Sequence, residues 1–461
     1  GLFLLSIRLV PLFPFFLVNL LMGLTRMPLG KFFFVSMIGM APATILFVNA
    51  GTELASLATP AGILSPRILL SLGALAIFPW LAKGIVGFLQ CRKIYAKFKK
   101  PKKFDYNLIV VGAGAAGLVS SLIAATLRAR VLLIEKNKMG GDCLNTGCVP
   151  SKALIRSAKL VHQAKNANAL GLSSVDIPVD FAKVMDRVMS VVRAIEPHDS
   201  VERYTKLGVE CQSGDARLLD PWTVELNGRK LTAKSIILAT GAEPALPPFP
   251  GLEKVNYFTT DTLWTLRELP RRLLILGGGP IGCELAQAFS RLGAKVTQVE
   301  ANKRIMSRED ADVAEIISER FQAEGIEILT SHRALRFESK GDAGVAVLEN
   351  AGQETRVEFD AVLIALGRKA RTKGFGLEEL GIELKKSGEI EADPFLRTNY
   401  PNIYVCGDAT GPYQFTHMAS HQAWFASINS LFAPFWKFKV DYRIVPWCTY
   451  TDPEVARDGL S

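Results

Sequence analysis

Three long apolar blocks dominate the first part of the chain. They cover residues 2–24, 32–50 and 68–90. The first block is long enough to cross a bilayer, but it contains residues that are unusual in a lipid-facing helix: Arg8, Pro11, Pro14 and Asn19. Irregular backbone at membrane depth persists only where protein or a water-filled cavity satisfies its polar groups. We therefore expect the first block to form either a re-entrant segment or a kinked transmembrane helix.

Beyond the third block, short apolar strands alternate with helices. A buried strand at 107–111, a helix at 115–128 and a strand at 131–135 form a βαβ unit, and a second such unit begins at Leu273. This order is typical of a parallel sheet with helices on its faces. Between the two units, residues 214–239 favour short strands joined by tight turns.

The positive charge is concentrated in the apolar part of the chain. Residues 1–103 hold twelve Lys or Arg and one acid, whereas residues 104–461 hold 42 basic and 43 acidic residues. The net charge of +10 therefore does not indicate nucleic acid binding, because it accompanies apolar segments. Seven of the basic residues lie in residues 91–103, directly after the third block. Because Lys and Arg concentrate on the cytoplasmic side of membrane spans, we expect a multi-pass cell-membrane protein whose later part is cytoplasmic, tethered by a helix that ends near Gln90.

A glycine-rich motif, Gly112-Ala113-Gly114-Ala115-Ala116-Gly117, follows the first strand and opens the next helix. Glycines at these positions permit a tight turn, close approach of a pyrophosphate and close packing of helix on strand. Free N–H groups at the helix N-terminus favour the same anion. Glu135 ends the next strand, 23 residues after Gly112, where a carboxylate accepts hydrogen bonds from ribose hydroxyls. The combination predicts a dinucleotide-binding unit.

A second glycine-rich motif repeats this arrangement. Gly277, Gly279 and Gly282 follow a strand, and Glu300 ends the next strand, again 23 residues after the first glycine. Two units with the same internal spacing predict two nucleotide sites in one chain.

The chain has seven cysteines, of which only Cys143 and Cys148 lie close together in sequence. An odd number scattered over a long chain is not the framework of a secreted disulfide protein, so we expect a reducing compartment. Cysteines five positions apart in an ideal helix are about 7.5 Å apart along its axis, beyond the roughly 7 Å Cα separation that a disulfide permits. A bond between them requires distorted backbone, and a strained bond is easier to reduce. Two buried structural cysteines are the alternative interpretation.

The ordered motifs from about residue 105 to residue 460 resemble the pyridine nucleotide–disulfide oxidoreductase family, which includes mercuric reductase, dihydrolipoyl dehydrogenase and glutathione reductase. The matching segments, besides the glycine motifs, are residues 140–152, Ala239-Thr240-Gly241, Ala365-Leu366-Gly367-Arg368, residues 398–408 and residues 446–460. The resemblance implies an α/β fold with two Rossmann-like dinucleotide-binding domains, one for FAD and one for NAD(P). An α-helical membrane segment precedes them, and a truncated α+β dimerisation domain follows.

The resemblance also assigns roles to single residues. It assigns FAD binding to Gly112, Gly114, Gly117, Glu135, Thr240, Gly241 and Asp408. It assigns NAD(P)H binding to Gly277, Gly279, Gly282, Glu300 and Gly367. Cys143 and Cys148 become the redox disulfide, in which Cys148 faces the flavin and Cys143 exchanges with substrate. Lys152 and Glu284 become an ion pair beside the flavin.

The expected reductant is NADH, with NADPH as the alternative. A carboxylate at the position of Glu300 repels a 2′-phosphate, whereas an arginine nearby accommodates one, and Lys303 and Arg304 follow closely. No metal site is expected, because His417 and His421 have no third ligand nearby in sequence.

The N-terminal blocks resemble the second half of the DedA-like membrane family (the SNARE-associated Golgi protein family). The residues that carry this resemblance are the run Arg8-Leu9-Val10-Pro11-Leu12-Phe13-Pro14-Phe15 with Asn19, Gly23, Gly39 and Gly51. The expected domain order is a helical membrane module at 1–90, a basic juxtamembrane linker at 91–103, an FAD-binding domain with the redox disulfide at 104–246, an NAD(P)-binding domain at 247–367, a return to the FAD-binding and central domain at 368–437, and the start of a dimerisation domain at 438–461.

The function implied is a membrane-tethered oxidoreductase that passes electrons from NAD(P)H through FAD to the Cys143–Cys148 disulfide and on to a disulfide or metal–thiol substrate, as in mercuric reductase. The alternatives are a dihydrolipoyl dehydrogenase-like enzyme, or a membrane transport or lipid-handling protein that its flavin domain regulates. The full-length protein is expected to be a homodimer. The family's His–Glu acid/base pair would lie beyond residue 461.

Overall fold

The computed structural model describes residues 2–9, 14–25, 27–55, 66–341, 343–433 and 435–459. The chain divides into two compact units, Gly1–Lys99 and Lys100–Ser461.

The first unit is helical. Its helices are α1 (Leu2–Leu9), α2 (Phe15–Gly23), α3 (Leu29–Ala55) and α4 (Pro66–Ile94). By length and composition, α3 and the Leu69–Ile94 part of α4 are suited to cross a membrane. The prediction that the last helix ends near Gln90 was wrong, because α4 continues to Ile94 and carries Arg92 and Lys93 in its last turn. Cations are favourable there, since the helix dipole is negative at the C-terminus.

The polar residues of the first apolar block contact one another. Residues 10–13, which include Pro11, lie outside the described residues. Helices α1 and α2, on either side, are eight and nine residues long, and each is too short to span a bilayer alone. The guanidinium of Arg8 is buried, contacts Asn19 Oδ1 and donates to Ser36 Oγ at 3.3 Å. The described residues therefore supply polar partners to a buried cation among apolar helices.

The second unit is an α/β structure. Its helices are α5 (Ala115–Thr126), α6 (Gly141–Asn145), α7 (Cys148–Lys165), α8 (Phe181–Ile195), α9 (Val201–Lys206), α10 (Pro280–Arg291), α11 (Ala311–Ala323), α12 (Leu377–Leu380) and α13 (Thr416–Phe432). Its strands are β1 (Tyr106–Val111), β2 (Val131–Glu135), β3 (Glu210–Ser213), β4 (Ala216–Asp220), β5 (Thr223–Leu226), β6 (Arg229–Leu238), β7 (Ala242–Pro244), β8 (Tyr257–Thr259), β9 (Arg272–Leu276), β10 (Lys295–Glu300), β11 (Glu327–Thr330), β12 (Arg333–Lys340), β13 (Ala343–Asn350), β14 (Gln353–Phe359), β15 (Ala361–Ile364), β16 (Arg368–Ala370), β17 (Ile403–Val405), β18 (Trp447–Thr449) and β19 (Val455–Arg457).

Two sheets, one mixed and one parallel, contain the expected pair of βαβ units. The first sheet has the order β3-β2-β1-β6-β5-β4, with β17 also paired to β6. Its strands β1, β2, β3, β6 and β17 are parallel, whereas β4, β5 and β6 form an antiparallel meander. The second sheet, β11-β10-β9-β15-β8, is parallel throughout. Strands covered on both faces have nearly continuous apolar sequences, and Leu108, Ile109 and Val110 of β1 have no exposed surface.

Three smaller sheets complete the described part of the second unit. Strands β12, β13 and β14 form an antiparallel sheet, and β7 pairs with β16 at the crossing between the two nucleotide-binding regions. Strands β18 and β19 form a hairpin near the end of the described chain.

The helix that follows the cysteine motif packs against the second sheet. One apolar cluster joins Leu154 of α7 and Met185 of α8 to Leu273 of β9 and Phe289 of α10. Burial of these side chains holds α7 beside α10. This packing brings the cysteine motif close to α10, the helix that begins in the second glycine motif.

Candidate active site

The first glycine motif forms the turn between β1 and α5. Gly112 has a φ of +102°, and a Cβ there would lie 2.3 Å from the carbonyl oxygen of Ala239. A Cβ at Gly117 would lie 1.7 Å from the carbonyl oxygen of Gly112. A larger residue at Gly117 would push α5 away from the turn, and one at Gly112 would collide with the main chain after β6. Gly114 is more open, with Gly141 Cα 3.9 Å from the position of its Cβ.

The second glycine motif has the same geometry between β9 and α10. Gly277 has a φ of +115°, and its Cβ would lie 2.2 Å from the carbonyl oxygen of Ala365. A Cβ at Gly282 would lie 2.1 Å from the carbonyl oxygen of Gly277, while nothing lies within 4 Å of that at Gly279. In each motif the helix therefore packs closely on its strand, and no side chain caps the N-terminus of the helix. Both glycine-rich turns, with the helix N-termini that follow them, fit a pyrophosphate.

The glutamates at the strand ends are held by main-chain N–H groups. Glu135 Oε2 accepts a hydrogen bond from Ala113 N at 2.7 Å, and Glu300 Oε2 accepts one from Gly278 N at 2.6 Å. In both motifs the donor is the second residue of the glycine sequence. The two carboxylates are therefore fixed beside their glycine loops.

Each predicted set of cofactor residues lies at one edge of its sheet. In the first sheet, Gly112 follows β1, Glu135 ends β2, Thr240 and Gly241 follow β6, and Asp408 follows β17. In the second sheet, Gly277 follows β9, Glu300 ends β10 and Gly367 follows β15. Because these strands are parallel within each sheet, their carboxyl ends share an edge. The structure brings each set together.

Asp408 is part of an ionic cluster that includes an arginine not predicted as a site residue. Arg368 contacts the carboxylate of Asp142, and its Nε lies 3.5 Å from Asp408 Oδ2. Burial raises the pKa of Asp408. Arg368 thus joins the residue before Cys143 to the turn after β17 that carries Asp408. Its position directly after Gly367 in a matching motif was the sequence signal for it.

The two cysteines lie on different helical segments. Cys143 is in α6, and Cys148 is the first residue of α7, so the helix is broken between them at Thr146 and Gly147. The backbone therefore departs from the ideal helix that would hold the two cysteines too far apart for a disulfide. Both are free thiols in this structure. Cys148 is exposed and Cys143 is half-buried, so the assignment of Cys143 as the exchanging thiol rests on the resemblance and not on exposure.

The two thiols differ in acidity. A hydrogen bond from the Cys143 thiol lowers the pKa of Cys148 to about 6, and Thr416 and the Lys152 ammonium act in the same direction. The same hydrogen bond raises the pKa of Cys143 above its usual range, because Cys143 is the donor. A helix N-terminus also favours a thiolate. The pair therefore holds one thiolate, on Cys148, and one thiol.

The expected contact between Lys152 and Glu284 is confirmed. Lys152 Nζ lies 2.7 Å from Glu284 Oε2, and the glutamate is buried. Tyr450, which the sequence did not single out, completes the arrangement. Its main-chain N donates to Glu284 Oε1 at 2.9 Å, and its ring lies 4.5 Å from Lys152 Nζ.

A cavity adjoins this ion pair. It has a volume of about 280 Å³ and is lined in part by Lys152, Arg156, Glu284, Arg291, Tyr450 and Asp452. The Lys152–Glu284 pair therefore borders a cavity between α7 and α10. A charged pair beside a cavity is a common feature of functional sites.

Comparisons with known proteins agree with this architecture. The family described as pyridine nucleotide-disulphide oxidoreductase matches residues 106–423, and the VTT domain matches residues 1–53. The chain is 35% identical over 358 residues to a mercuric reductase of Bacillus cereus, covering 78% of this chain and 56% of that protein. It is 36% identical to a dihydrolipoyl dehydrogenase of Chlamydia trachomatis serovar D, covering 77% of this chain and 76% of that protein.

A solved structure is also similar. The HOCl-induced flavoprotein disulfide reductase RclA from Escherichia coli superposes with a TM-score of 0.68 at 27% identity, over 77% of this chain and 78% of that one. The chain spans little more than half the length of the B. cereus relative. The VTT match confirms the expected DedA-like module at the N-terminus. The chain belongs to the pyridine nucleotide-disulphide oxidoreductase family, whose members use FAD and NAD(P)H to act on sulfur groups.

Proposed function

We propose that this protein is a membrane-tethered oxidoreductase that transfers electrons from NAD(P)H through FAD to the Cys143–Cys148 pair and on to a disulfide or metal–thiol substrate. The observation that carries the proposal is the position of the two thiols on either side of a helix break, with Cys148 on the same helix as Lys152 and its contact with Glu284. The lowered pKa of Cys148 agrees with this arrangement. Structural cysteines do not need a thiolate at neutral pH, whereas thiol–disulfide exchange does.

The residues present fit both cofactors. FAD would be held by the first glycine motif with Glu135 and Asp408, and NAD(P)H by the second glycine motif with Glu300. When bound, these cofactors supply the two electrons as a hydride equivalent. Reducing a disulfide to two thiols takes two electrons and two protons. Reducing a mercuric dithiolate to metallic mercury and two thiols takes the same.

The chain's own groups would manage charge and protons at the thiol pair. Cys148 carries the thiolate, stabilised by the hydrogen bond from Cys143, while Cys143 keeps its proton. The ammonium of Lys152 lies in a fixed position because buried Glu284 holds it. Positioning of a cation near a reacting thiolate favours its charged form.

Steady-state turnover of the full-length protein tests this function. With FAD and NADH present, we expect repeated turnover with a thiol-bound Hg(II) substrate, and the comparison with lipoamide and small disulfides identifies the substrate class. Cys143→Ser is expected to abolish turnover but to leave flavin bound and reducible by NADH. Cys211→Ser, which changes a thiol in β3, is the matched control. Loss of flavin from Cys143→Ser would show that the roles are misassigned.

The same experiment distinguishes the proposed oxidoreductase from a second candidate function. The second candidate is a membrane transport or lipid-handling protein that its flavin region regulates. The VTT match at residues 1–53 and the buried Arg8 favour this candidate. A regulatory domain would accept electrons from NADH once and then stop, with no sustained turnover for any sulfur or metal–thiol substrate. That result would overturn the proposed enzyme and favour regulation.

We further propose that the protein is a multi-pass cell-membrane protein with its second unit in the cytoplasm, and that the full-length protein is a homodimer. Seven basic residues follow the third apolar block, within the distance over which Lys and Arg set orientation. NAD(P)H and a reducing environment, which the thiol pair needs, are available on that side.

A further inference from the structure

The segment after α13 exposes an unusual group of aromatic side chains. Residues 435–439, Phe-Trp-Lys-Phe-Lys, are all exposed and are named here the aromatic–basic loop. The exposed fraction is 87% for Phe435, 65% for Trp436 and 42% for Phe438. Three large aromatic side chains exposed within four residues favour an interaction site.

The loop is held in place by its own contacts. Asn429 in α13 donates from Nδ2 to Phe438 O at 2.8 Å, and its Oδ1 accepts from Phe438 N at 2.8 Å. Trp424, itself 43% exposed, packs edge-on against Phe438, with ring centroids 5.7 Å apart. The aromatic groups are thus presented on an anchored surface, which reduces the entropy lost on binding.

The composition of the loop matches the interfacial region of a bilayer. Trp side chains concentrate at the level of the lipid headgroups, and Phe side chains are common on apolar surfaces that insert at the boundary of headgroups and acyl chains. Lys439 supplies a cation at the same surface, and lysine can place its apolar stem along lipid while its ammonium reaches anionic headgroups. Lysine is depleted in protein–protein interfaces, so its presence beside the aromatic side chains favours a lipid surface over a protein partner.

The fold places the aromatic–basic loop at the amino edge of the first sheet, where strand β1 begins. Helix α13 follows β17 and packs on α5, so it ends at the amino edge of the parallel strands. Ser430 O in its last turn accepts a hydrogen bond from Ser235 Oγ at 3.0 Å. Ser235 is the register partner of Leu108, near the start of β1 at Tyr106. Strand β1 is reached from α4 through residues 95–105 alone.

We infer that the aromatic–basic loop docks the second unit onto a bilayer that contains anionic lipid. The amino edge of the first sheet then faces the lipid, and the carboxyl edge, which carries Gly112 and Asp408, faces away from it. The inference goes beyond the proposed redox function, since it does not depend on the substrate or on turnover.

Quenching of Trp436 by brominated lipid tests the inference. The full-length protein is placed in nanodiscs of brominated phosphatidylcholine with or without phosphatidylglycerol, and the emission of Trp436 is obtained as the difference between wild type and Trp436→Phe. We expect loss of this emission in brominated nanodiscs, with a greater loss when phosphatidylglycerol is present. Unquenched Trp436 would overturn the inference. Shielding that grows with protein concentration but not with bromination would also overturn it, in favour of a second copy of the chain.

A pair of charge variants tests the role of the cation. Lys439→Glu is expected to weaken the quenching of Trp436 in anionic nanodiscs. Lys386→Glu makes the same change at an exposed lysine outside the loop and is expected to leave it unchanged. Equal effects of the two variants would contradict recognition by the loop.

Discussion

At the scale of single residues, the acidity of Cys148 depends on groups from three helices. The thiol of Cys143 in α6 is the largest cause of its lowered pKa, followed by Thr416 of α13 and Lys152 of α7. Since an acid with a pKa of about 6 is ionised above that pH, the thiolate is present at neutral pH and is lost as the pH falls through 6.

Removing the hydrogen bond from Cys143 is therefore expected to raise the pKa of Cys148 more than removing the charge of Lys152 does. Cys143→Ala and Lys152→Met are compared by pH titration of the ultraviolet thiolate absorbance of the reduced protein. Cys143→Ser, which keeps a donor, is the control. Burial raises the pKa of Cys211, Cys283, Cys406 and Cys448, so these thiols do not titrate in the same range. An unchanged pKa in Cys143→Ala would contradict the assignment.

The residues around Glu300 favour NADH. Arg304, the arginine that would accept a 2′-phosphate, donates instead to the carbonyl oxygen of Glu309 at 2.8 Å. We expect a higher kcat/KM for NADH than for NADPH in steady-state kinetics. Glu300→Ala is expected to reduce kcat/KM for NADH roughly 10- to 150-fold. This corresponds to a loss of about 1.5–3 kcal/mol of binding free energy, because hydrogen bonds to a charged group are removed. A higher kcat/KM for NADPH in the wild type would overturn the assignment.

At the scale of secondary-structure elements, a buried ion pair joins α10, α11 and the hairpin of β18 and β19. Arg291 at the end of α10 donates from Nε and Nη2 to Glu324, which follows α11, at 2.8 and 2.6 Å. Its Nη1 donates to Asp452, between β18 and β19, at 3.0 Å. The side chains of Arg291 and Glu324 are only 4% and 6% exposed. The pair therefore fixes the segment that carries Tyr450.

Breaking this pair is expected to destabilise the second unit strongly. Glu324→Gln leaves the buried Arg291 charge with the partly exposed Asp452 as its remaining carboxylate partner, at a cost of up to about 3–5 kcal/mol in the free energy of unfolding. Chemical denaturation measures the change. The double variant Arg291→Leu/Glu324→Leu is expected to lose less, because no charge stays buried alone. Glu354→Gln, which removes an exposed partner of Arg336, is the control. Equal midpoints for Glu324→Gln and the control would contradict this interpretation.

At the scale of the whole molecule, the arrangement of charge predicts the side of the membrane on which the second unit lies. The basic residues 92–103 and the apolar helices α3 and α4 together favour a cytoplasmic second unit. Protease added to sealed, right-side-out vesicles is therefore expected to leave the second unit intact, and to digest it after permeabilisation. Cleavage of the second unit in sealed vesicles would contradict a cytoplasmic location.

The sequence by itself determined the elements whose signals are local. Strand β2 and the start of α5 lie where the pattern predicted them, and the two glycine motifs form the expected turns. Such features depend on nearest neighbours along the chain, on apolar periodicity and on positions that only glycine can occupy. The pairing of Lys152 with Glu284 was available only through the resemblance to a family, because the two residues are 132 positions apart.

The tertiary structure alone decided which distant groups surround the thiols. Arg368 contacts both Asp142 and Asp408. Tyr450 contacts both members of the Lys152–Glu284 pair. It also decided that the aromatic–basic loop lies at the edge where the chain enters the second unit. Periodicity along the chain carries no information on these contacts. They arise because buried apolar faces of α7, α10 and α13 must pack against particular sheets, and that packing sets the positions of the charged and aromatic groups.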